Sequence, residues 1–302
     1  MKRTVALSIL VLGACGRTDL CPEPSGALLL EQLYLSGPAL NEAMVVTLPS
    51  GGHLLIDVGN DSRYDQVRDA LAGPTEWVLI THQHQDHMGA LDELEGHWED
   101  LGQAPTFIDG VGIWALGDGV ELELFKHGCE LATPDGVVDL CAVLPGMDQE
   151  ENAMSSAGVL RYGAFAYLFA GDLSGGGSDS VDVETAIADQ GLALGAVDVA
   201  HISHHGKQSS TNQAWVDLFF PDDGHARNAV VGASAAYLAA PHEDVLDRLG
   251  SRLAGGWVWV TADGVLAGDH DNKRTLDADV VISVDPGGGS YAICGELFDA
   301  IP

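Results

Sequence analysis

Thr81-His82-Gln83-His84-Gln85-Asp86-His87 is the stretch from which the rest of the chain is read. Four potential metal ligands, His82, His84, Asp86 and His87, follow directly on the apolar run Trp77–Thr81. That run has the composition of a buried strand, and the residues from Gly89 onward carry a helical pattern. The ligands therefore sit in the turn where a strand gives way to a helix. Side chains of an extended segment alternate with period two, so His82 and His84 project to one side. Once the chain turns, Asp86 and His87 face a second position close by. Neutral imidazoles combined with a carboxylate suit zinc or another borderline divalent ion.

Two further stretches have the same character. Phe165–Ala170 is an apolar strand ending in Gly171-Asp172, and a carboxylate at a strand end can bridge two cations. Val197–Ser203 is a second strand, delivering His204-His205-Gly206 to a loop where glycine permits close backbone approach. Either histidine of that pair can be the ligand. His201, inside the strand, reads as a packed or supporting residue. Lys207, Ser209 and Ser210 follow and are candidates to donate to a substrate phosphate. His97 and His127 read as exposed polar histidines and His270 as a loop residue. No Gly-x-Ser-x-Gly elbow is present and Ser155 has no evident base, which disfavours a serine nucleophile.

The composition narrows the partners. The 302 residues carry 13 basic and 45 acidic side chains, a formal charge of −32, with 46% apolar residues. That is too apolar for a disordered acidic polymer. Nucleic-acid binding through phosphate contacts needs a supply of Lys and Arg that this chain lacks, as does adhesion to anionic lipid through a basic patch. Strand runs mixed with helical stretches predict one layered α/β or α+β domain over residues 28–302.

The N-terminus reads as a targeting segment. Lys2 and Arg3 precede the apolar run Val5 to Gly13, as in a signal peptide over residues 1–14. Leu12-Gly13-Ala14-Cys15 resembles a bacterial lipobox, which implies lipidation of Cys15 and residues 15–27 as a tether. The expectation is an exported, membrane-anchored lipoprotein of a bacterial envelope, periplasmic or outer-surface. Four cysteines then remain, and in an exported chain they predict disulfides. Three pairings are open; Cys129 and Cys141 are near in sequence and are expected to form a local bridge, which would leave Cys21 for Cys294.

Together these pieces resemble the metallo-β-lactamase superfamily, in particular the branch with the hydrolase domain of the bacterial DNA-uptake (competence) channel and exported choline-phosphate esterases. The resemblance runs from about Gly37 to Tyr291. GPALNEAMVVTLPSGGHLLIDVG looks like that branch's opening hairpin, and THQHQDHMGAL like the superfamily's metal motif. FAYLFAGDL and VDVAHISHHGKQSST are similar to its Gly-Asp and His-His-Gly elements, and PHEDVLDRL and ISVDPGGGSYAI to its closing helix and strands. Ala240-Pro241-His242 departs from the branch's usual His-Pro.

The resemblance implies an α+β fold, a four-layer αββα sandwich with two divalent metal ions, zinc or manganese, at one edge. His82 and His84 would hold the first ion. Asp86, His87 and one of His204 or His205 would hold the second, with Asp172 bridging. Asp86 and Asp172 would thereby be the catalytic carboxylates. Asp57 would orient the ligand loop, and Asn152 and Ser155 match the branch's Asn/Ser element.

A divalent ion lowers the pKa of bound water from about 15.7 to about 7, so the expected activity is hydrolysis by a metal-bound hydroxide. A phosphoester is the leading substrate, and the acidic surface favours a small one over DNA. A β-lactam or lactone is the enzymatic alternative. A metal-bearing lipoprotein that binds DNA or an envelope ligand without turnover is the non-enzymatic one. No protein partner is indicated.

Overall fold

The computed structural model describes residues 21–22, 24–36, 41–177, 180–235 and 239–302. The expected signal peptide, the lipidation site Cys15 and most of the tether lie outside the described residues.

The alternation of side chains along each strand accounts for the layers. In the strand Phe165–Phe169, the rings of Phe165, Tyr167 and Phe169 enter one apolar cluster, while Ala166 and Leu168 enter another on the opposite face. In His53–Val58, Leu54 and Ile56 join the first of these clusters and Leu55 a third. A strand buried on both faces reads as an unbroken apolar run, which is why these stretches stand out in the sequence.

The shared cluster lies between two sheets. Leu28, Leu30, Leu54, Ile56 and Ile282 of one sheet pack there against Leu122, Leu160, Tyr167, Val199 and Val230 of the other. Helices cover the outer faces. Val67, Leu94 and Trp98, from the helices Tyr64–Ala70 and Leu91–Asp100, cap the first sheet. Val183, Trp215, Phe219, Val245 and Leu249, from Val183–Ala188, Gln213–Phe219 and Glu243–Gly250, cap the second. The fold is the expected αββα sandwich of two large sheets.

Strand direction sets where function can sit. His53–Val58, Thr75–Leu79 and Thr106–Phe107 run parallel in the first sheet. Phe165–Phe169, Val199–His201, Asn228–Val231, Val258–Val260 and Lys273–Thr275 run parallel in the second. Loops leaving the carboxyl ends of parallel strands form the crevice where open α/β sheets place their ligands. Asp57, Thr81–His87, Gly171-Asp172 and Ser203–Lys207 all belong to such ends or loops.

Residues 112–139 form antiparallel ribbons at the edge of the second sheet: Gly112–Gly117 on Val120–His127, then Glu130–Thr133 on Gly136–Asp139. Their outward residues, among them Ile113 and Val137, are exposed, so no continuous apolar run marks them. The strand Leu28–Gln32 lies between Val280–Val284 and Ala43–Thr47.

Both disulfides form as expected, Cys21 with Cys294 and Cys129 with Cys141. The first, with the hydrogen bond from Ala27 N to Val284 O (2.8 Å), fastens the end of the expected tether to the first sheet. Among the described residues no helix is long and apolar enough to cross a membrane.

Candidate metal centre

The strand Thr75–Leu79 ends just before the ligand loop, and the short helix Gln85–Met88 begins within it. Asp57, at the end of the neighbouring strand, holds this loop in shape. Its Oδ1 accepts from Thr81 N and its Oδ2 from Thr81 Oγ1, each at 2.7 Å. The same Oδ2 lies 2.7 Å from His87 Nδ1. Asp57 thereby fixes the His87 ring with Nε2 turned inward, the arrangement by which a supporting carboxylate orients a ligating imidazole.

Two groups of donor atoms result. Asp86, His87, Asp172 and His205 form one, and His82, His84 and Asp172 the other, each with its donor atoms within 4.8 Å of one another. Asp172 belongs to both. His82 Nε2 and His84 Nδ1 are 3.0 Å apart. His87 Nε2 is 3.2 Å from Asp172 Oδ1, yet it is buried without a hydrogen-bond partner. His205 Nε2 lies 3.6 Å from Asp86 Oδ2 and 3.8 Å from Asp172 Oδ1. Imidazole nitrogens and carboxylate oxygens that converge at such separations fit a divalent cation between them.

The electrostatics agree with that donor set. Burial alone would raise the Asp172 carboxyl, but His87, His205 and His204 around it hold it well below the ordinary carboxylate range. Burial, reinforced by neighbouring His87, lowers His82 to about 3, so its imidazole is neutral and able to ligate. His205 is opposed by burial, but Asp172, Asp86 and Glu42 push it up to about 10. A cation on that nitrogen replaces the proton, so binding releases protons.

The adjacent histidines take different places. His204, His205 and Gly206 all have left-handed backbone angles, with φ of 53°, 55° and 74°. For non-glycine residues this conformation costs energy and persists only where the surroundings impose it. The turn sends the two rings apart. His205 enters the group with Asp86, His87 and Asp172, while His204 Nε2 sits 3.5 Å from Asp172 Oδ2 and 2.5 Å from Lys207 Nζ. Asn152 Nδ2 also approaches His204 Nε2, at 3.4 Å.

Other proposed site residues are less central. Ser155 is buried and its Oγ accepts from Asp172 N at 3.1 Å, which shapes the Asp172 turn. Ser210 is buried and donates to the carbonyls of Ser203 and Lys207 (2.8 and 2.9 Å), so it braces the histidine turn. Ser209 lines a cleft beside it. His127, read as exposed, is half-buried between Ser156 Oγ and Asp109 Oδ1, each at 2.9 Å. His97 is also half-buried and meets Tyr64 edge-on. Both fill gaps beside other elements, which local polarity does not reveal. His270 Nδ1 accepts from Asn272 N within its own loop.

One residue of the centre escaped the sequence reading. Glu42 is buried, with Oε1 2.7 Å from His201 Nε2 and Oε2 3.1 Å from His205 Nδ1. Burial opposes its charge, but His201 and His205 hold its carboxyl far below the usual range. A Cβ at Gly232 would meet the Glu42 carboxylate at 2.5 Å, so only glycine leaves room for it. His205 Nδ1 also lies 2.7 Å from Gly232 O, and a carbonyl can only accept. This fixes the hydrogen on Nδ1 and leaves Nε2 for the cluster. An acid directly at the head of the apolar strand Ala43–Thr47 is the signal that could have found Glu42.

Residues 37–111, about a quarter of the chain, match the family described as the metallo-β-lactamase superfamily. The hydroxyacylglutathione hydrolase of Photobacterium profundum is 29% identical over 93 residues, which are 29% of this chain. The chain thus spans about a third (36%) of the length of that curated relative. Among solved structures, the metallo-β-lactamase fold protein YhfI from Bacillus subtilis aligns at 12% identity over 77% of this chain and 96% of its own, with a TM-score of 0.46. The Zn(2+)-bound PqqB from Methylobacterium extorquens aligns at 11% identity over 80% of this chain and 98% of its own, with a TM-score of 0.44.

Proposed function

We propose that this chain is a metal-dependent hydrolase of the metallo-β-lactamase type acting on a small phosphoester. The observation that carries this reading is the pair of donor groups meeting at Asp172. One would consist of His82, His84 and Asp172, the other of Asp86, His87, His205 and Asp172. Zinc and manganese both suit these ligands. Two divalent ions held there would supply Lewis acidity and an activated water at neutral pH.

The residues around them have definite tasks in this reading. Asp57 keeps His87 in the ligating tautomer, and Gly232 O, with the Glu42 carboxylate beside it, does the same for His205. Asp172 stays a carboxylate and faces both groups. Lys207, next to His204, brings positive charge to the edge of the site, where an anionic ester would be held. The two disulfides support an oxidising compartment, in line with an exported lipoprotein anchored through Cys15. A second reading, hydrolysis of an acyl substrate such as a thioester, lactone or β-lactam, is favoured by the likeness to hydroxyacylglutathione hydrolase. The same activated water can attack a carbonyl.

Metal analysis of the purified protein, with a panel of phosphodiester, phosphomonoester, thioester and lactam substrates, tests this. We expect two equivalents of metal and turnover of bis(p-nitrophenyl) phosphate, both lost in His84→Ala and Asp172→Ala. His205→Ala should lose metal, while His204→Ala should keep it and lose rate. Preferred turnover of the acyl substrates selects the second reading. Two equivalents of metal with no turnover of any substrate would instead indicate a binding protein.

A further inference from the structure

The N-terminal fastening of the chain lies at the same end of the molecule as the metal centre. Cys21 is bonded to Cys294, and its Sγ lies 3.7 Å from Asp279 O. Ala278, the preceding residue, donates from N to Thr261 O at 3.2 Å. Thr261 Oγ1 donates to Ala233 O at 2.7 Å, and the neighbouring Gly232 O lies 2.7 Å from His205 Nδ1. A short run of contacts thus joins Cys21 to a histidine of the metal group. Strand register agrees: Gln32 is level with Val280 and with Met44, and Met44 with Ile56, which precedes Asp57.

The same end carries an exposed apolar turn. The loop that follows Thr261 is fixed by Gly264 N on Ala240 O (2.9 Å) and by Gly268 N on Pro241 O (2.8 Å). His242, the next residue after that pair, donates from N to Gly206 O in the histidine turn at 2.8 Å. Ala267 N closes the loop on Gly264 O at 3.1 Å, which leaves Val265 and Leu266 at its tip, 70% and 63% exposed. Turn tips ordinarily take Gly, Asn, Asp or Ser. Two adjacent aliphatic side chains held out in water carry an unfavourable hydration free energy that contact with an apolar phase removes.

We infer that this end rests on a lipid bilayer, with Val265 and Leu266 in its interfacial layer, so that the metal centre faces the membrane. The inference rests on the reading of Cys15 as the lipidated anchor and adds which way the protein faces. Cys15 and Cys21 are six residues apart, so a chain of at most roughly 20 Å separates the acyl group from the disulfide. An anchor entering so close to this end holds it, rather than the opposite one, against the surface. The charge selects the lipid. Asp263 is paired with Lys273 at 3.1 Å, but Asp269, Asp271 and Asp277 on the adjoining segments are exposed. An anionic leaflet repels them, so the surface that fits is zwitterionic lipid.

The test uses the full chain, purified with its N-terminal modification and reconstituted on phosphatidylcholine vesicles. Mass analysis of the N-terminal peptide reports whether Cys15 is acylated. With Cys15 acylated and the other four cysteines in disulfides, Leu266→Cys supplies a single free thiol for an environment-sensitive fluorophore. Ser50→Cys, in the exposed turn at the opposite strand ends, is the control. The label at position 266 should shift to the blue and be quenched by nitroxide-bearing lipid, while the label at position 50 keeps its aqueous spectrum. Phosphatidylglycerol vesicles should weaken the shift at low salt, and a stronger shift there overturns the choice of lipid. A label at 266 that stays aqueous on an acylated protein, or equal shifts at both positions, overturns the inference and leaves the lipoprotein reading standing. An unmodified Cys15 overturns that reading and the inference with it.

Discussion

At the scale of single residues, two imidazoles are each held from behind by a buried acid, His87 by Asp57 and His205 by Glu42. Such outer partners typically change metal affinity about 10–100-fold when removed. Glu42→Gln keeps the volume and removes the charge, so metal affinity measured by competition with a chromogenic chelator should fall within that range. Thermal stability of the metal-free protein should change far less. An unchanged affinity would reduce Glu42 to packing. The ligand residues were legible in the sequence because they are consecutive, or lie just past apolar strands. Glu42 was not, because its partners His201 and His205 come from a different sheet.

At the scale of elements, turns carry the site and strands carry the stability. Gly171 has φ of 50°, and a Cβ there would meet Thr81 Oγ1 at 2.7 Å. Gly171→Ala must therefore displace either the Asp172 turn or the Thr81 loop, at a cost of about 1–3 kcal/mol for the strained backbone alone. Denaturant unfolding should show that loss and metal titration a weakened site. Intact metal binding would mean that the turns relax independently. Leu168, fully buried against the outer helices, is a purely structural control. Leu168→Ala should cost about 2–5 kcal/mol with metal stoichiometry unchanged. The central strands were visible as apolar runs, whereas the ribbon Gly112–Asp139 was not. Val120–His127 interrupts its buried Val120, Leu122 and Leu124 with Glu121 and Glu123, and the edge strands beside it expose most of their residues, so pairing rather than an apolar run defines them.

At the scale of the whole molecule, the disulfides and one buried cation shape stability. Cys21–Cys294 spans 273 residues and Cys129–Cys141 spans 12. Loop entropy makes the long closure worth on the order of 5 kcal/mol and the short one about 3 kcal/mol. Cys294→Ser should thus lower Tm more than Cys141→Ser, and the reverse order would show that local strain dominates. Lys126 is fully buried, donating to Ser155 O and Gly128 O, and burial pulls its ammonium from 10.5 down to about 7. Because the folded pKa lies below the unfolded one, the native state holds fewer protons there. The stability that this contributes is complete above about pH 10.5 and is lost as pH falls through about 7. Relative to the wild type, Lys126→Met should therefore gain stability between pH 10 and pH 7 in chemical unfolding. A pH-independent difference would mean that the ammonium stays charged in the fold.

The sequence by itself determined the donor types and the strand ends that present them, because these depend on local order and on apolar runs, whereas the structure decided the cysteine pairing. Only the tertiary structure decided which histidine of the adjacent pair joins the metal group. That choice follows from three successive left-handed residues and from Gly232 O and Glu42 taking His205 Nδ1. The deciding groups come from distant strands, and their distances are set by how the two sheets stack.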